Sequence, residues 1–135
     1  MTTVTTTPAL VATTVLAQLA EAWNASDGAH YGAAFAEDAH FVTVRGEHVR
    51  GSGAIAGGHQ HIFDSIYRGS TVTMELEHAR EVTPGVVLAV GSSTLDVPSG
   101  PLQGRHNSRM TLVITRAEDS WTVAALHNTL VAAGA

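Results

Sequence analysis

The chain has 135 residues, a formal net charge of −5, 14% charged residues and no cysteine. That length is one ordinary domain, large enough to fold without staples, and the missing cysteines exclude disulfides, thiolate nucleophiles and Cys-based zinc sites. Seven basic residues against twelve acidic ones argue against a phosphate-binding surface, so nucleic acid is not an expected partner.

In chain order, "MTTVTTT" reads as a disordered Thr-rich tail over residues 1–7, followed by a single domain from 8 to 135. No basic n-region marks a secretory signal, and no apolar run reaches the ~20 residues of a membrane span. The expected location is the cytoplasm, with no membrane contact. Thr7 is a candidate N-cap with Pro8 in the first helical position. Val11, Val15, Leu19, Ala22 and Trp23 then recur at helical spacing, which predicts an amphipathic first helix. "ASDGAHYGAAFAED" predicts a short second helix capped by Ser26, with Tyr31 and Phe35 four apart and Glu37-Asp38 in a solvated turn near its end. "AHFVTVRGEHVRGSG" predicts a small hairpin about Arg45-Gly46-Glu47. "SGAIAGGHQHIFDSIY" predicts a third helix from Ser52 to Tyr67, with Ser52 as its cap.

The remainder reads as strands. "STVTMELEHAREV" alternates, with Val72, Met74 and Leu76 on one face and Thr71, Thr73, Glu75 and Glu77 on the other. Pro84-Gly85 is a turn, "VVLAVGSSTLDV" a strand, and Pro98 to Pro101 a break. The last segment folds on paper as a hairpin with Arg116 opposite Trp121. Regular alternation then puts Ser108, Met110, Leu112, Ile114, Trp121, Val123, Ala125 and His127 on the face toward the helices. The other face carries Arg109, Thr111, Val113, Thr115, Thr122, Ala124, Leu126 and Asn128. A one-residue slip would exchange them. The expected fold is α+β: a cone-shaped, curved antiparallel sheet with three helices from the N-terminal half around a blind apolar pocket.

Within the third helix, Ile55, His59, Ile62, Phe63 and Ile66 share a stripe, while His61 points elsewhere. His59 is thus the inward ring. It is either a hydrogen-bonded core histidine under a close helix crossing or a cavity-lining group. Gly57 and Gly58 each cost up to about 1 kcal/mol in a helix, which suggests close approach of another helix or a ligand. His127 and His106 fall on the inward face of the last hairpin and could meet His59 near the pocket mouth. A neutral histidine suits general acid–base work because it titrates near working pH. No local spacing supports a metal centre. Asp96 is a candidate carboxylate base at the cavity rim, or the start of the turn at Pro98; Glu75 is the other carboxylate within reach of the rim. "GSGAIAGG" lacks the lysine and spacing of a phosphate loop. No nucleophile elbow and no cofactor motif is present. Trp23, Tyr31, Phe35, Phe41, Phe63, Met74, His106, Ser108, Met110 and Trp121 are the expected pocket residues, with His59, His127 and Asp96 as the catalytic candidates.

Three strings carry a family resemblance: "AWNASDGAHYGAAFAEDAHFV", with Trp23, Asp27 and Phe35; "GSGAIAGGHQHIF"; and "SWTVAALHNTLV", with His127-Asn128-Thr129. Together they resemble the SgcJ/EcaC family of the nuclear-transport-factor-2-like (SnoaL-like) superfamily, close to the SgcJ-type proteins of enediyne biosynthesis. The resemblance covers nearly all of residues 8 to 130. It implies a cone-shaped α+β barrel, a homodimer packed through the open sheet face, and a deep apolar pocket. Isomerase and cyclase relatives use a pocket carboxylate as base, and Asp96 is the nearest candidate here. What it implies for function is one of two roles. The first is binding of a small apolar, polyene-like intermediate whose cyclisation or isomerisation is assisted without a cofactor. The second is a non-catalytic accessory role that sequesters or presents a product or docks on a polyketide synthase.

Overall fold

The computed structural model describes residues 6–132; most of the expected Thr-rich tail, residues 1–5, lies outside them. Helix α1 (Pro8–Asn24) starts as anticipated: Thr7 accepts the Leu10 amide at 3.1 Å, and Pro8 fills the first position where an N–H has no partner. Its buried stripe runs from Val11 to Ala22. Helix α2 is shorter than the sequence suggested, Gly28–Gly32, and its cap is Asp27 rather than Ser26. Ser26 instead takes a left-handed conformation (φ 54) between the two helices. Phe35 already belongs to strand β1 (Phe35–Val42), so Glu37 and Asp38 lie in a strand and not in a turn. Strand β2 (His48–Arg50) completes the small hairpin. Helix α3 (Ser52–Phe63) ends four residues before Tyr67, and Gly51, not Ser52, occupies its N-cap position.

Strands β3 (Thr71–Thr83), β4 (Val86–Val97), β5 (Gly104–Ala117) and β6 (Ser120–Leu130) form an antiparallel meander. The sheet order is β2-β1-β6-β5-β4-β3. All pairs are antiparallel except β1 with β6, which run parallel because the whole meander intervenes between them. Register shifts interrupt β1, β3 and β6. Each extra residue sharpens the local bend, and together these shifts curve the sheet around the helices. Both the α+β class and the curved sheet agree with the sequence reading.

The shift in β6 has the largest effect on side chains. Arg116 faces Trp121 as the hairpin reading required, but Ile114 pairs with Val123 and Val113 with Ala125, leaving one residue over in β6. Beyond it every β6 side chain changes face. Leu126 is fully buried and His127 is exposed, the reverse of simple alternation.

The close helix crossing also sits elsewhere than anticipated. A Cβ on Gly57 or Gly58 would meet nothing within 4 Å. The tight contact is on α2. A Cβ on Gly28 would fall 2.5 Å from the Ala56 carbonyl oxygen, and one on Gly32 2.9 Å from that of Ser52. The Gly28 amide donates to Gln60 Oε1 at 2.8 Å, locking α2 onto α3. Asn24 fastens the end of α1 to the sheet: its Nδ2 donates to the Val72 carbonyl and its Oδ1 accepts the Val72 amide. No described helix is long and apolar enough to cross a membrane.

Candidate functional site

Between the helices and the concave face of the sheet lies a cavity of about 450 Å³. Alternation along β4 supplies one wall. Val87, Ala89, Gly91, Ser93, Leu95 and Val97 all turn inward, and Ser93 and Leu95 border the cavity. Strand β3 adds Val72 and Met74, and β5 adds Ser108 and Met110. Helix α1 contributes Trp23, whose Nε1–H donates to Ser70 Oγ at 2.9 Å. The β1–β2 connection, from Thr43 to Glu47, edges the mouth with Tyr67 and His106.

The inward histidine is His59. It is 8% exposed and borders the cavity. Its ring stacks on Tyr31 with centroids 4.0 Å apart, and Phe41 meets it edge-on at 5.0 Å. Nδ1 lies 2.7 Å from the Ile55 carbonyl oxygen one turn earlier. A carbonyl only accepts, so Nδ1 carries the proton and Nε2 carries a lone pair. Burial pushes the histidine pKa down to about 4, with the Ile55 hydrogen bond opposing the shift weakly. At neutral pH the ring is therefore uncharged, and it is a weaker base than a solvated histidine. Its two sequence readings merge: the ring is a hydrogen-bonded core histidine and a cavity-lining one. Burial also raises the Tyr31 hydroxyl well above its ordinary range, so it remains a phenol.

The sheet wall holds the other polar groups. Ser93 and Ser108, cross-strand partners on β4 and β5, share a hydrogen bond. His106 donates Nε2–H to the Leu102 carbonyl at 2.6 Å. Asn128, turned inward by the β6 shift, leaves its Oδ1 buried with no hydrogen-bond partner among the described residues.

Of the expected pocket residues, Trp23, Tyr31, Phe41, Met74, His106, Ser108 and Met110 line the cavity together with His59. Phe35 and Phe63 are buried in the adjoining core. Trp121 lies at the far end of the sheet with the Arg116 guanidinium 5.8 Å from its ring centre. Two catalytic candidates are displaced. His127 faces the outside because of the β6 shift, and it edges a separate depression with Arg109, Thr111 and Thr129. Asp96 also faces outward, at the polar position of β4, and pairs with Arg105 at 3.0 Å. Glu75 is exposed on β3. Among the described residues the only carboxylate bordering the cavity is Glu47, at the mouth and 3.0 Å from Arg45. Among the same residues no three side chains converge as metal ligands.

Sequence reasoning missed Ser93, although it stands in the apolar row Val87 to Val97 and was legible there. Asn128 was missed because only the shift in β6 brings it inside.

A comparison with curated proteins gives no match. Two solved structures share about a quarter of the sequence. One is a domain of unknown function with a cystatin-like fold from Nostoc punctiforme PCC 73102, with 26% identity, a TM-score of 0.87, and 97% of this chain and 82% of that one covered. The other is an uncharacterized protein with a cystatin-like fold from Caulobacter vibrioides, with 27% identity, a TM-score of 0.84 and coverages of 93% and 91%. A ketosteroid isomerase-like protein from Erwinia carotovora atroseptica SCRI1043 shares the fold at 11% identity, with a TM-score of 0.76 and coverages of 90% and 95%. The sequence model of the SnoaL-like domain matches residues 12–133, nearly the whole chain, and the protein belongs to that family.

Proposed function

We propose that this chain is a cytoplasmic small-molecule pocket protein of natural-product biosynthesis, of the enediyne polyketide kind implied by its resemblance to SgcJ/EcaC proteins. It binds a flat, unsaturated, largely apolar intermediate. The observation that carries this reading is the cavity of about 450 Å³, walled by Trp23, Tyr31, Phe41, Met74 and Met110 around the buried, uncharged His59. Aromatic and thioether walls suit a polyene or fused-ring ligand. His59 assists isomerisation or cyclisation. Its Nε2 takes a proton from an acidic C–H or O–H of the ligand, and the same proton returns at another ligand atom, so atoms and electrons balance with no cofactor.

The test is to mix purified protein with the polyene released by the cognate synthase and follow the absorption spectrum and product profile. Turnover that is lost in His59→Phe supports the reading. Because the histidine titrates near 4, the rate should stay level from neutral pH to about 5 and fall below that.

The second reading is a non-catalytic carrier that sequesters or presents the product or docks on the polyketide synthase. The lack of an interior carboxylate among the described residues and the weak basicity of His59 favour it. Tight binding with an unchanged product profile would select it.

We also propose a homodimer through the open sheet face. Leu88, Val113 and Ala125 form an in-register apolar row across β4, β5 and β6 on the side away from the helices.

A further inference from the structure

The polar groups around the cavity differ in how freely they adapt to a ligand. Hydroxyls can rotate to donate or accept, as can the Ser93–Ser108 pair and Tyr31. The Asn128 carboxamide carries both an acceptor oxygen, unpartnered among the described residues, and an NH2 donor. The ring N–H donors cannot adapt, and two are already engaged: Trp23 Nε1–H with Ser70 and His106 Nε2–H with Leu102. His59 cannot adapt either. Its Nδ1–H is held by the Ile55 carbonyl, and the ring is clamped between Tyr31, Phe41 and Trp23. Nε2 is left as a fixed acceptor with no hydrogen-bond partner among the described residues.

We infer that the ligand carries a hydroxyl, as a phenol or enol, and donates it to His59 Nε2, so the cavity discriminates against the ether and ketone forms of the same skeleton. This rests on the reading of the cavity as a ligand site. A ketone or ether oxygen at that point sets lone pair against lone pair inside an apolar enclosure. An acceptor buried without a partner costs about 1–3 kcal/mol, so a donor placed there is strongly preferred. The same hydroxyl proton is the one that Nε2 could remove in an enol-to-ketone step, which links selectivity to the proposed chemistry.

The experiment is a calorimetric titration of the full-length protein with 2-naphthol, 2-methoxynaphthalene, 2-tetralone and naphthalene, which share a flat two-ring frame. The expected result is that 2-naphthol binds about tenfold or more tightly than its methyl ether or the ketone. In His59→Phe, which keeps a flat ring of similar size, that ratio should fall to about one. If all four bind within about twofold of one another, the hydroxyl inference is overturned while the ligand site stands. If none binds at millimolar concentration, both are overturned. A ratio unchanged in a folded His59→Phe protein assigns the selectivity elsewhere and overturns the role of Nε2. Should that variant fail to fold, the nitrogen NMR shift of His59 Nε2 in the wild-type protein decides: it should move on addition of 2-naphthol and not of 2-methoxynaphthalene, and equal responses overturn the role of Nε2.

Discussion

The His59 ring joins three environments: a helix carbonyl on one nitrogen, aromatic faces on its flanks, and the cavity beyond. Burial favours the neutral ring, so the folded pKa of about 4 lies below the ordinary 6.5. Between these values the unfolded chain takes up a proton on His59 that the folded chain refuses. Stability linked to this residue is therefore full above pH 6.5 and is lost as pH falls toward 4. At about 1.4 kcal/mol per pH unit, the loss reaches roughly 3 kcal/mol at the bottom of that window. Urea unfolding of wild type and His59→Phe at pH 7 and pH 4.5 checks this. The variant should lose distinctly less stability on acidification, and equal losses would show that His59 does not titrate in that range. The inward phase of His59 was legible from the stripe it shares with Ile55, Ile62 and Phe63. Its proton placement was not, because that depends on a nitrogen meeting the Ile55 carbonyl.

At the scale of elements, α2 and α3 place glycines in two different roles. Gly28 and Gly32 sit where a methyl group would strike α3 backbone, whereas Gly57 faces open space in a helix interior. Gly57→Ala should therefore raise stability by up to about 1 kcal/mol, since alanine is the better helix former. Gly32→Ala should lower it by about 1–3 kcal/mol through overpacking. Thermal melts of both variants test the pair, and stabilisation by Gly32→Ala would contradict the close contact. From the sequence, "AGG" pointed to a helix crossing that lies instead at Gly28 and Gly32, whereas its other reading, approach to a ligand, fits Gly58, which borders the cavity. The irregularity in β6 was equally hidden. "TVAALHN" contains no glycine or proline to mark an extra residue, and small alanines fit either face. Met110, Ser108 and His106 were nevertheless assigned correctly, because β5 alternates without interruption on that side of the hairpin.

For the whole molecule, the class, the number of helices and the meander were legible from periodicity. The strand order was not. Nothing local in "FAEDAHFV" or "VAALHNTL" says that these distant segments lie side by side and parallel. The apolar row of Leu88, Val113 and Ala125 on the uncovered face gives the dimer proposal its test. Light scattering should report a dimer at micromolar concentration, and Val113→Asp should shift it to monomer while leaving the helical circular dichroism intact. A wild-type monomer would remove the proposal.

The parallel pairing of β1 with β6 also sets an order of events during synthesis. Strand β1 has β2 on one side and β6 on the other. Everything made before β6 therefore amounts to helices and a three-stranded-at-best meander with no strand pairing to the first hairpin. The aromatic cluster of Tyr31, Phe35 and Phe41 must wait on the ribosome with its sheet floor missing. Long-range closure of this kind is slow, and apolar surface is exposed meanwhile. Chains truncated before residue 120 should thus be captured by chaperones and cut by protease, and protection should arrive in one step once the chain includes Val123 to Leu126.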